Sequence, residues 1–99
     1  MSLVLTREVT CIRSLAWRCD LPVQIPWDRL KEELLRAELT SVPAVRGLVR
    51  LANPGGDELV LVPASGRVQI RVHYTVPESE RRFAAERLFQ MLVYAIRRL

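Results

Sequence analysis

The chain has 99 residues, of which 49% are hydrophobic and 26% charged, a balance that excludes a disordered segment and suits one domain with one core. No apolar run approaches the roughly 20 residues needed to cross a bilayer, and the first residues lack the basic-then-apolar pattern of a secretory leader, so a cytoplasmic location is expected. The net charge of +4 comes from arginine, fourteen of them against Lys31; guanidinium forks suit phosphate and carboxylate recognition, but high-GC codon usage gives the same enrichment.

From Leu3 to Trp17 the chain is rich in Val, Thr, Ile, Leu and Cys without helical periodicity, which predicts an extended strand. Arg13 would share a face with Val9, Cys11, Leu15 and Trp17, so a bulge or a strand end near Ser14 is expected. Cys11 and Cys19 are too few for a disulfide scaffold and read as reduced and structural. Asp20 to Gln24 is a connection, and Pro26 opens a helix expected to run to about Leu39, with Trp27, Leu30, Leu34 and Ala37 on its buried stripe.

Thr40 to Pro43 reads as a second connection, after which the period becomes that of strands. Residues 46–52, 57–64 and 67–75 are expected to form a meander joined by turns at 53–56 and 65–66, where Asn, Pro, Ser and Gly supply the required dihedrals. In the last strand Val68, Ile70, Val72 and Tyr74 face the core, while Arg67, Gln69, Arg71 and His73 face away. Thr75 and Glu78 have capping-box spacing, and Pro77 marks the start of a terminal helix. Its stripe is expected to hold Phe83, Ala84, Leu88, Met91, Leu92, Ala95, Ile96 and Leu99, with Phe89, Val93 and Tyr94 beside it. The expected architecture is α+β: an antiparallel four-stranded sheet in β-α-β-β-β-α order with both helices on one face.

Catalytic chemistry has little to work with. His73 is the lone histidine, with Cys11, Cys19 and Asp57 as its nearest candidate partners, and no spacing among them resembles a zinc or nucleophile–base site. Asn53-Pro54-Gly55-Gly56 lacks the Lys-Ser/Thr of a phosphate-binding loop and leads into a strand, so it is a hairpin turn. Glu32, Glu33, Glu78 and Glu80 read as solvated charges beside arginines. No catalytic residue, metal or cofactor is therefore assigned.

The stretch 45–75, especially Ser65-Gly66-Arg67-Val68-Gln69-Ile70-Arg71-Val72, followed by the acidic start and alanine-bearing helix 78–96, resembles one repeat of the TATA-box-binding protein fold; strand 4–14 and helix 26–39 match it in order. The resemblance implies a half-saddle scaffold. It does not carry over TATA-box recognition, because the places of the family's DNA-kinking phenylalanines fall at Ala44 and Pro63, and phenylalanine occurs only at Phe83 and Phe89. A single repeat would leave its first strand as an open edge, so a homodimer is expected, pairing about Val4, Thr6, Glu8, Thr10 and Ile12.

Two functions follow. Arg46, Arg50, Arg67, Gln69, Arg71 and His73 would make a basic strip on one sheet face, with Val60 and Val62, or Leu59 and Leu61, as apolar patches within it, suited to a nucleic-acid backbone. The alternative is a protein-interaction adaptor or assembly subunit that docks a partner through the sheet face or the Phe89, Val93, Tyr94 side of the last helix.

Overall fold

The structure is a computed structural model that describes residues 3–7 and 16–99. Two short strands at the start, β1 (Thr6–Arg7) and β2 (Ala16–Asp20), replace the single strand expected over 3–17, and they pair antiparallel with Thr6 opposite Arg18. Trp17 and Cys19 alternate inward with Arg18 and Asp20 outward, so the strand runs three residues past Trp17 to the first residue of the expected connection. The bulge expected near Ser14 and the Cys11 thiol lie outside the described residues.

Helix α1 (Trp27–Arg36) buries Leu30 and Leu34 and carries Asp28 in its first turn and Arg36 in its last, each complementing the helix dipole. It stops short of Leu39 because Glu38 takes a positive φ of 69°, which turns the chain and drives Leu39 into the core. The next residues, read as a connection, form an edge strand, β3 (Thr40–Val42), against β4 (Val49–Ala52). β4 starts three residues later than expected: Val45 to Leu48 is a turn closed by the Leu48 N–H donating to the Val45 carbonyl at 3.1 Å.

β5 (Glu58–Val62) and β6 (Arg67–Arg71) complete the meander. Asn53 ties the first hairpin: its Oδ1 accepts from the Asp57 N–H at 2.9 Å, and its own N–H donates to the Asp57 carbonyl at 2.9 Å. The second turn spans 63–66 rather than 65–66, with both Ser65 and Gly66 donating to the Val62 carbonyl. β6 ends at Arg71, where the buried Asp57 carboxylate captures the His73 N–H at 2.7 Å and Val76 donates to the His73 carbonyl. Val68, Ile70 and Val72 are buried as the alternation requires, but Tyr74 lies in that turn and is 73% exposed instead of facing the core.

A single 3-10 turn (Glu78–Glu80) leads into α2 (Arg81–Arg97). The Thr75–Glu78 capping box does not form: Thr75 Oγ1 instead bonds the His73 ring at 2.7 Å, and Arg81 reaches back to the Val76 carbonyl. Ala85, Leu88, Leu92 and Ala95 form the buried stripe of α2, with Met91, Ile96 and Leu99 partly buried beside it; Phe83 is 67% exposed.

Among the described residues the sheet has six strands in the order β1-β2-β6-β5-β4-β3, rather than four, all antiparallel. Both helices lie on the face that carries Trp17, Cys19, Leu51, Leu59, Leu61, Val68 and Ile70, and these side chains with Leu30, Leu34, Leu88 and Leu92 form the core. Burying each of those leucines contributes about 1.5–3 kcal/mol. The fold is thus α+β with its helices on one side, and among the described residues no helix lies on the other sheet face.

Candidate nucleic-acid interface

Pleating sends alternate residues of each strand to the open face, and the register aligns them in rows across it. One row runs Arg18, Gln69, Val60, Arg50 and Val42; the rows on either side hold Asp20, Arg67 and Val62, and Ala16, Arg71, Glu58, Ala52 and Thr40. Four arginines therefore meet two carboxylates.

The arginines are not equivalent. Arg50 donates from Nη2 and Nε to Glu58 Oε1 at 2.6 and 3.1 Å and from Nη1 to the Pro43 carbonyl at 2.9 Å. Its charge is neutralised and its fork is occupied, so it clips β4 to β5 and secures the turn after β3. Arg71 donates from Nε to Gln69 Oε1 at 2.6 Å, which fixes its stem while leaving the guanidinium exposed. Arg67 is exposed and has no ion pair among the described residues. Arg18, which lies just past the end of the strand expected over 3–17, sits opposite Gln69 with a loose contact of 4.0 Å to the solvated Asp20. Arg67 and Arg71 are four residues apart on one strand, about 13 Å at the backbone, with Arg18 on the neighbouring strand between them.

Two of the expected site residues lie elsewhere. Arg46 is on the exposed turn between β3 and β4, out of register with Arg50. His73 lies beyond the end of β6, its Nδ1 on Thr75 Oγ1 and its ring stacked against Tyr74 with centroids 4.4 Å apart. Of the two apolar pairs the pattern offered, Val60 and Val62 lie on the open face and Leu59 and Leu61 in the core; Val60 is 5% exposed although no helix among the described residues covers it, flanked in register by Arg50 and Gln69. For the dimer edge, Val4 and Thr6 are exposed at β1, while Glu8, Thr10 and Ile12 lie outside the described residues.

Other reactive side chains serve the fold. Asp57 accepts from a backbone N–H of His73 and from Asn53 Nδ2, not from the imidazole, so the two do not form an acid–base pair. Burial, with the neighbouring Asp20 carboxylate a smaller cause, pushes the Cys19 thiol up to about 11 from its ordinary 9.0, which makes it a poor nucleophile. Among the described residues no three His, Cys, Asp or Glu side chains converge as metal ligands, and no helix is long and apolar enough to cross a membrane. Comparison with protein-family models, curated proteins and solved structures returned no match.

Proposed function

We propose that the chain is a non-enzymatic nucleic-acid-binding module that takes a sugar–phosphate backbone on its open sheet face, on a scaffold of the TATA-box-binding protein type. The observation that carries this reading is the weakly compensated trio of half-buried Arg18 with exposed Arg67 and Arg71 around Gln69, on a sheet face that no helix covers among the described residues. The helices gathered on the opposite side support the scaffold, as does the order of two strands, helix, four-stranded meander and helix. No aromatic ring lies on this face among the described strand residues, so binding rests on charge and the half-buried Val62, with little base discrimination. Pairing of two copies along β1 would join two such faces into one surface, and light scattering at micromolar concentration tests it by returning the mass of a dimer.

The direct test is fluorescence anisotropy with labelled duplex and single-stranded DNA. Three neutralised phosphates give a log–log salt slope of about −2.7 on duplex, so a roughly fourfold rise in salt weakens binding about fortyfold. The Arg18→Ala/Arg67→Ala/Arg71→Ala variant should lose binding, while Arg50→Ala, whose charge is spent on Glu58, should lose much less. Salt-independent binding, or equal loss from Arg50→Ala in a stably folded protein, refutes the proposal.

A further inference from the structure

On the opposite side of the molecule, α1 and α2 leave a groove of about 390 Å³ between them. Arg87, Met91, Tyr94 and Arg98 follow one another along α2 at helical spacing, and Glu33, Arg36 and Ala37 face them from α1. The floor is apolar, made by Ala37, Met91 and Ala95. Glu33, the one acid among the described residues that line it, is already committed: Oε1 takes Arg36 Nη1 at 3.0 Å, Oε2 lies 3.8 Å from Arg98 Nη1, and the side chain is only 16% exposed. Glu33 is thus a brace between the helices and not the solvated charge its sequence context suggests. Arg87 has no ion pair among the described residues, so three guanidiniums face one spent carboxylate.

We propose that this groove docks an acidic amphipathic helix of a partner protein, its apolar stripe on Met91 and Ala37 and its carboxylates on Arg36, Arg87 and Arg98. Charge complementarity makes the occupant anionic. Its extent follows from the helix: Arg87 and Arg98 are eleven residues apart, about 16 Å along the axis, too far for one small anion to engage both. The aliphatic lining of Ala37, Met91 and Ala95 suits aliphatic side chains rather than nucleobases, and the guanidinium of Arg98 lies over one face of the Tyr94 ring, 5.7 Å from its centroid. An apolar stripe with flanking acids matches this layout in the helix-in-groove mode.

The test is anisotropy with a fluorescein-labelled synthetic peptide of about four helical turns, with leucines on one stripe flanked by glutamates, beside the same peptide with glutamines and a labelled thymidine oligonucleotide. The acidic peptide should bind; Arg87→Glu/Arg98→Glu should weaken it roughly tenfold or more, and Met91→Gln severalfold. Arg29→Glu, on the exposed surface of α1 outside the groove, should leave binding unchanged. Equal affinity for the glutamine peptide, or unchanged binding by the double variant with a native circular dichroism spectrum, overturns the proposal. Groove-dependent binding of the oligonucleotide instead of the peptide overturns it too. Should the double variant not fold, amide shift mapping on the unaltered protein decides: perturbations must centre on residues 33–37 and 87–98, and a map centred on the sheet refutes the docking.

Discussion

Replacing Gly66 by alanine should cost about 3–4 kcal/mol, and the structure shows where each part of that cost arises. Gly66 sits at φ +79° in the turn between β5 and β6, a conformation that costs an L-residue about 1–2 kcal/mol. An added Cβ would also overlap the carbonyl oxygen of Leu21, backbone that cannot swing aside as a side chain could. The turn must then separate from the end of β2, breaking the bond from the Leu21 N–H to the Gly66 carbonyl at 2.7 Å, worth about 1 kcal/mol, and leaving buried polar groups short of partners. Gly47→Ala is the internal control, since Gly47 has φ +88° but nothing within 4 Å of an added Cβ, so it should pay the dihedral cost alone. Urea unfolding with an unchanged m-value should show Gly66→Ala weaker than Gly47→Ala by about 2 kcal/mol, a large share of the stability of a small domain. A difference below about 0.5 kcal/mol would refute the packing argument and leave only the backbone angle.

Two further outcomes are expected. Glu38→Gly should stabilise the protein by about 0.5–1 kcal/mol, because glycine accepts the φ of 69° that ends α1 without strain; Glu38→Val should destabilise it, and thermal melts of the pair check the sign. In a Cys11→Ser background, Cys19 should react with a thiol reagent at pH 8 far more slowly than in urea. Its folded-state pKa of about 11 lies above the ordinary 9.0, so the unfolded chain releases this proton first; the thiol's contribution to stability is intact below about pH 9 and is lost as pH rises toward 11. Urea midpoints across that range test it against Cys19→Ala.

Periodicity revealed the elements whose burial decides their conformation. Leu30 with Leu34, Leu88 with Leu92, and the alternation of Val68, Ile70 and Val72 were all legible because one face of each element is enclosed. What pattern could not supply was where strands stop and pair. Thr40–Val42 has no apolar alternation strong enough to declare itself and is a strand only because β4 offers it an edge. Tyr74 continues the alternation of β6 on paper, yet the Asp57 carboxylate, reaching across from the neighbouring hairpin, ends the strand before it. The candidate site shows the same division. Arg67 and Arg71 followed from alternation within a strand, whereas Arg18 joined them, and Arg50 was withdrawn by Glu58, through cross-strand neighbours that no local pattern records.

The position of β2 between β1 and β6 constrains how the molecule can be built. Cys19 lies opposite Val68, about fifty residues further along, so a chain growing from a ribosome can offer Trp17 and Cys19 only the two-residue ladder with β1 until β6 has emerged. The hairpins from β3 to β6 need only local closure and can assemble first, while β2 must wait and then thread into register at their far side. For that interval the early apolar segment is the part of the nascent polypeptide most open to a chaperone, or to a wrong partner strand.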